Sequence, residues 1–328
     1  DSNKVNLNYL YIMNLKTEIK LPNYPISISH EDKILSIGSC FSENIGAKLK
    51  ENKFDVLVNP YGIVFNPISI SIAINECLEG KQYKESDLNK NGEIYFSYNH
   101  HGSFSGLDSK AVLNNINEKI KKGNEFLENS DVLILTLGSA WVYRRKQTNE
   151  VVANCHKVPT TEFTKELLSV SEVVEKLTDS INRIKSVNPS IKIITTISPV
   201  RHWKDGVVEN QHSKATLHLA LKELNEGFED SYYFPSYEIM MDELRDYRFY
   251  GDDMLHPSEL AIDYIWEKFG DSFFDTNTKE LNKRISKLNK EKNHKPLNPE
   301  SADFKKFQDQ IMVKEKKLHI EFPFLKGR

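Results

Sequence analysis

Two stretches far apart in the chain supply a nucleophile and the groups that would activate it. The first is Gly38-Ser39-Cys40-Phe41, in which a hydroxyl and a thiol follow a glycine at the end of an apolar run. A nucleophile placed there opens a helix, whose unpaired N–H groups favour an anion and lower a thiol's pKa. The second is Gly251-Asp252-Asp253-Met254-Leu255-His256-Pro257. An Asp three residues before a His, ahead of a helix opened by proline, brings carboxylate and imidazole to one side of a loop. In that position the carboxylate fixes the imidazole tautomer and stabilises its protonated form. Each block alone also has an ordinary structural reading: Gly-Ser-Cys as a turn and cap, Asp253 as a loop acceptor, His256 as a cap. Further candidates are His101 and Ser103 after the 93–98 run, and Arg201 and His202 after the 191–197 run. A guanidinium at Arg201 suits a carboxylate, phosphate or sulfate on a substrate.

Elements that would hold these residues follow from periodicity. Short apolar runs rich in β-branched residues occupy 33–38, 131–138 and 191–197, with weaker ones at 54–58 and 232–234. Near-continuous apolar runs suit strands covered on both faces, as in parallel sheets. Between them lie helical patterns at 43–53, 67–78, 109–127, 170–187, 214–228 and 257–269. The alternation predicts a doubly wound α/β/α sandwich with a mostly parallel sheet. In such sheets ligands bind beyond the carboxyl ends of the strands, which is where Gly38, Gly138 and Arg201 fall. Residues 80–107 break the pattern and read as an inserted hairpin or lid. Beyond about residue 275 the chain is Lys-rich, with helices expected at 279–292 and 302–317.

With the elements in place, the blocks acquire a family likeness. A Gly-x-nucleophile block after the first strand, joined to Asp-x-x-His-Pro near the end, resembles the SGNH (GDSL-like) hydrolases. Gly38-Ser39-Cys40-Phe41 with Asn59-Pro60-Tyr61-Gly62-Ile63-Val64-Phe65-Asn66-Pro67 resembles the GSCFA branch of that superfamily. Thr136-Leu137-Gly138-Ser139-Ala140-Trp141, Asn154-Cys155-His156-Lys157 and Ser198-Pro199-Val200-Arg201-His202 extend the likeness, which runs from about Met13 onward. The resemblance implies a flavodoxin-like three-layer α/β/α sandwich and a hydrolytic site built from Ser39 or Cys40, Asp253 and His256. Laid without a gap on the usual Gly-Asp-Ser, the block puts Ser39 on the Asp and Cys40 on the nucleophile; a one-residue slip restores Ser39. The resemblance also implies oxyanion donors from a second-block glycine, which Gly62 matches, and from a third-block Asn. Ala140 stands where that Asn would be, so the donor is sought at Asn154, Ser139 or Asn66.

Composition limits the rest. The 328 residues are 39% apolar, enough for a full α/β core, and the net charge of −3 gives no basic field for nucleic acid. Three Cys with no Cys-x-x-Cys pair argue against a disulfide framework or a structural zinc. No apolar run approaches the roughly 18 residues that cross a bilayer, and no signal peptide is evident. The protein is expected to be cytoplasmic, without metal or cofactor. Residues 1–12 read as an N-terminal extension, 13–275 as the catalytic-type domain, and 276–328 as a helical extension packed on it. The expected partner is an O-acylated carbohydrate, lipid or small metabolite, turned over by an esterase or acyltransferase. A degenerate domain that binds such a ligand without turnover is the alternative. A dinucleotide or P-loop protein fits the fold class but lacks either glycine fingerprint.

Overall fold

A computed structural model describes residues 17–328, so the expected extension 1–12 lies outside the described residues. The chain runs β1 (Lys33–Gly38), α1 (Cys40–Glu51), β2 (Asp55–Val58), α2 (Pro67–Leu78), β3 (Asn89–Asn91), β4 (Ile94–Phe96), α3 (Ser109–Asn129) and β5 (Val132–Leu137). It continues through β6 (Trp141–Arg145), β7 (Val151–Val152), β8 (Phe163–Leu167), α4 (Val170–Val187), β9 (Lys192–Ile197), α5 (Val207–Glu226) and β10 (Ser231–Phe234). A short α6 (Ser236–Glu238) precedes α7 (Glu259–Phe273), α8 (Thr276–Lys292) and α9 (Ala302–Glu321).

Five strands form one parallel sheet in the order β10-β9-β5-β1-β2. Strand pleating sends alternate side chains to opposite faces. Leu35, Ile37, Leu133 and Leu135 therefore pack under α2, α3, α4 and α5. Ile34, Val132 and Ile134 pack under α1 and α7. This is the three-layer sandwich that the sequence implied. After β1 the chain moves outward to β2, then returns to the other side of β1 as β5. The direction of winding reverses between β1 and β5, and the crevice at such a reversal is where ligands sit.

Several boundaries differ from those expected. Helix α1 begins at Cys40 rather than 43, because the Ser39 side chain caps it. Helix α5 begins at Val207 rather than 214: its first two turns carry no apolar stripe, since Val207, Val208 and Glu209 are exposed. The inserted hairpin is present as β3-β4. A second antiparallel sheet, β7-β6-β8, follows β5 and was not anticipated. Its strands carry Arg144, Arg145, Lys165 and Glu166 on partly exposed positions, so the apolar signal there is short. Helices α8 and α9 share a small core of Leu281, Ile285, Leu288, Ile311 and Leu318. They reach the main body through Asn289 Nδ2, which donates to the Glu51 carbonyl (2.8 Å), and Lys53 Nζ, which donates to the Arg328 carbonyl (2.7 Å). No helix among the described residues is long and apolar enough to cross a membrane.

The reversal leaves no room at Gly38. Its φ is +151°, and a Cβ there would lie 2.2 Å from the Thr136 carbonyl oxygen. Gly38→Ala combines a disfavoured backbone conformation with a backbone clash, and is expected to destabilise the protein by roughly 3 kcal/mol or more. Urea denaturation measures this; a loss under about 1 kcal/mol would mean that β1 and β5 separate easily at their ends.

Candidate active site

The turn after β1 is held from both sides. Gly38 N–H donates to Asn59 Oδ1 (2.9 Å), Ser39 N–H to the Thr136 carbonyl (3.1 Å), and Val64 N–H to the Gly38 carbonyl (3.1 Å). Within this frame the two candidate nucleophiles have different environments. Ser39 is 1% exposed, and its Oγ accepts the Phe41 N–H (3.3 Å) as the N-cap of α1. Cys40 is the first helical residue and remains partly exposed. The helix start was expected to lower the Cys40 thiol pKa, but it is raised: burial, with Glu43, outweighs the opposing pull of the Lys214 charge and of the Phe41 and Cys40 amides. The Cys40 side chain is the more accessible of the two, and the Ser39 hydroxyl caps the helix.

Three loops converge beside it. A Cβ added at Gly138 would lie 2.8 Å from Phe65 Cβ, 3.3 Å from Ser39 Cβ and 3.4 Å from His202 Nε2. Gly138 N–H donates to the Phe65 carbonyl (2.8 Å), joining the loops after β2 and β5. Helix α5 grips the same loop from below. Lys214 is completely buried, and its Nζ donates to the carbonyls of Gly138 and Ser198, both at 2.8 Å. Ser213 Oγ accepts the Ala140 N–H at 2.7 Å. Burial pushes the Lys214 pKa down to about 7; Cys40 opposes that shift and Arg201 adds to it. Lys214 was missed from the sequence. The available signal was its place on the apolar stripe formed with Leu217, Leu221 and Leu224, where a lysine needs internal acceptors.

The Asp253–His256 pair forms as expected. His256 Nδ1 lies 2.5 Å from Asp253 Oδ2, and Asp253 Oδ1 accepts the N–H groups of Leu255 and His256, each at 2.9 Å. The His256 backbone N–H, its ring and the Leu255 N–H hold the Asp253 carboxyl at about 2. Both side chains are about half exposed, at 52% and 48%. The Gly251 N–H donates to the His256 carbonyl (2.8 Å) and closes the loop. His256 lies near enough to His202 to contribute to lowering that residue's pKa. It makes no hydrogen bond to Cys40 or Ser39; such contacts are often long until substrate binds.

Most of the candidate oxyanion donors are engaged locally. Gly62 N–H donates to the Asn59 carbonyl (2.8 Å), and Gly62 is needed because a Cβ there would lie 2.4 Å from His101 Cβ. Asn66 caps α2: its Oδ1 accepts the Ser69 N–H and its Nδ2 donates to Ser69 Oγ. Ser139 Oγ accepts the Trp141 N–H (3.0 Å) and lies 3.2 Å from Ser213 Oγ. Asn154 Oδ1 accepts the His156 N–H (2.8 Å), in the inserted region. His101 Nδ1 pairs with Ser103 Oγ (3.1 Å). Arg201 differs: its Nε is buried without a partner, and its charge acts on Tyr237 and Tyr250. Among the described residues no three His, Cys, Asp or Glu side chains converge as metal ligands would.

The sequence profile of the GSCFA family matches residues 33–269, and that of the GSCFA C-terminal domain matches residues 285–327. No curated protein matches the chain in sequence. Among solved structures, an acetyl xylan esterase from the rumen bacterium Butyrivibrio proteoclasticus is similar at 11% identity and a TM-score of 0.39. The match covers 76% of this chain and 64% of that enzyme, so the chain spans less than two thirds of its length. A family 3 carbohydrate esterase from Talaromyces cellulolyticus is similar at 10% identity and a TM-score of 0.35, over 78% of this chain and 99% of that one. Another, from Clostridium thermocellum, is similar at 12% identity and 0.32, over 73% and 94%.

Two outcomes test the site's electrostatics. The Asp253 carboxyl is expected to titrate near 2 by carbon NMR and to move up toward the ordinary value of 3.8 in His256→Ala. Its pKa is lowered in the fold, so the stability it adds is present above the ordinary value and lost as pH falls through about 2. Lys214 is cationic only below about 7. Lys214→Met is therefore expected to slow Cys40 alkylation several-fold near about pH 6, with the difference closing above about pH 8.

Proposed function

We propose that this chain, which belongs to the GSCFA family, is an esterase or acyltransferase that works through a covalent acyl-enzyme on Cys40. The observation that carries this reading is the 2.5 Å Asp253–His256 pair; it is linked to the Cys40 turn through His202, on which His256 acts electrostatically and whose Nε2 lies beside Gly138 and Ser39. His256 takes the Cys40 proton, with Asp253 holding the ring by Nδ1 so that Nε2 receives it. The thiolate attacks the acyl carbon, and the carbonyl electron pair moves to oxygen. Collapse breaks the ester C–O bond, and the leaving alkoxide takes the proton from His256. Water, or an alcohol or amine, then attacks the thioester with His256 again as base, releasing acid or transferring the acyl group. Ser39 is the alternative nucleophile. It is 1% exposed where Cys40 is partly open, and that favours Cys40.

The substrate we propose is an O-acylated carbohydrate, lipid or small metabolite in the cytoplasm, where the three free thiols stay reduced. Arg201, flanked by Tyr237 and Tyr250, would hold an anionic or hydroxylated part of it. The second reading, ligand binding without turnover, is favoured by one observation: Gly62 N–H, Asn66, Ser139 and Asn154 are all bonded within their own loops.

Aryl acetates and acetylated oligosaccharides separate these readings. Turnover is expected in the wild type, with losses of about a thousandfold or more in Cys40→Ala and His256→Ala. Ser39→Ala is expected to keep most activity and lose about 1 kcal/mol of stability, as for a helix cap. Activity that vanishes with Ser39→Ala and survives Cys40→Ala would reverse the assignment. Tight ligand binding without turnover would favour the second reading.

A further inference from the structure

We propose that His202 supplies the oxyanion donor that a third-block Asn would provide: its Nε2–H faces the acyl oxygen as Cys40 is acylated. The inference rests on the acyl-enzyme reading and adds a residue that touches the reacting atoms.

The case begins with a vacancy. Ala140 is fully buried at the Asn position and carries no side-chain donor. Of the other donors expected from the sequence, Gly62, Asn66 and Ser139 are occupied locally, and Asn154 is bonded through its Oδ1. A reaction that builds negative charge on oxygen needs preorganised donors at that point. Buried polar atoms without a partner around the strand ends include Asn59 Nδ2, Arg201 Nε, His202 Nε2 and Asn210 Nδ2. Of these, His202 Nε2 is the one found beside Gly138: it would lie 3.4 Å from a Cβ added there, with Ser39 Cβ at 3.3 Å and Phe65 Cβ at 2.8 Å. Cys40 follows Ser39 directly, so this nitrogen borders the nucleophile's turn. An orphaned buried donor is costly, and a site for developing charge explains why one persists.

The ring is held for the task. The His202 N–H donates to Asn210 Oδ1 (2.8 Å) and the ring packs tilted against Phe65, with centroids 5.4 Å apart. Several groups face it: Lys214 from α5, Asp205 on its own loop, and His256 across the crevice. Asp205 is itself paired with Lys165 at 2.7 Å. Burial first, then the charges of Lys214 and His256, lower the His202 pKa to about 4 against the opposing pull of Asp205. At neutral pH the imidazole is uncharged, and the tautomer with hydrogen on Nε2 is a donor that does not compete with His256 for the thiol proton. No proton moves at His202. The thiolate forms the C–S bond, the carbonyl electron pair shifts to oxygen, the Nε2–H bond to that oxygen strengthens, and collapse returns the pair.

Two reactions of Cys40 isolate this step. Acylation by an aryl acetate passes through an oxyanion, whereas alkylation by iodoacetamide displaces iodide without one. Both rates are measured by stopped flow and intact mass for the wild type, His202→Phe and His202→Gln. His202→Phe keeps a ring against Phe65 and removes the donor. It is expected to slow acylation about 100- to 1,000-fold with KM little changed, and to leave alkylation within about twofold. His202→Gln, with an amide near the Nε2 position, is expected to recover part of the loss and show no added dependence on pH. If His202→Phe does not fold, His202→Leu carries the same comparison. Acylation at the wild-type rate in these variants would overturn the inference alone. So would a parallel fall in alkylation, which would make His202 a group that acts on the thiol. A wild type that alkylates readily and is acylated by no ester would overturn the acyl-enzyme reading and this inference together.

Discussion

The contact between the ends of β1 and β5 is the constraint on which the site depends. Parallel strands that run in register from Ile34↔Val132 to Gly38↔Thr136 bring two strand exits side by side. One exit must turn at once to free the crevice. Gly38 makes that turn against the Thr136 carbonyl, where no side chain fits, and Ser39 N–H then bonds that carbonyl. Asn59 and Val64 fasten the other side of the turn, and Phe65 ties it to Gly138. Helix α1 therefore starts at a fixed point with Cys40 first in line. A small shift at Gly38 would move the thiol, the glycine loop after β5 and the His202 ring against one another.

Much of this frame was legible in the sequence, for identifiable reasons. Strands buried on both faces have to be apolar along their length, so β1, β5 and β9 stood out. Helices that cover a sheet have to carry an apolar stripe, so α2, α3 and α4 did as well. The Asp253–His256 pair was legible because its partners are three residues apart and the loop between them is short. What escaped depends on contacts distant in sequence. The β7-β6-β8 sheet pairs partly polar strands, and its identity rests on cross-strand partners such as Trp141↔Leu167 rather than on an apolar run. Lys214 lies 76 residues from Gly138, whose carbonyl it binds, and no local pattern records that. The Asn, Ser and Gly groups that the family resemblance nominated as oxyanion donors turned out to be bonded locally, Asn154 through its oxygen. Only coordinates show whether a donor is free.

Two basic side chains, Arg201 and a Lys214 whose pKa is lowered to about 7, lie near the strand ends. Lys214 is enclosed and satisfied by two carbonyls, and Arg201 stands above it without a carboxylate partner among the described residues. Their influence runs in two directions. Lys214 draws the Cys40 thiol toward its ionised form, against burial, and helps keep His202 neutral. Burial still prevails at Cys40, whose thiol pKa stays raised, and at His202, whose imidazole is uncharged at neutral pH. Asp253 keeps its negative charge on His256 and the Leu255 and His256 N–H groups, in a half-exposed loop.

The account stands on Cys40 being the residue that His256 activates. Adduct mapping tests that most directly: the protein is treated with iodoacetamide and, separately, with a fluorophosphonate, and modified peptides are located by mass spectrometry in the wild type and His256→Ala. The account predicts rapid modification of Cys40, ahead of Cys77 and Cys155, that falls away when His256 is replaced. A phosphonylated Ser39, or labelling of Cys40 no faster than the other two thiols and indifferent to His256, would contradict it.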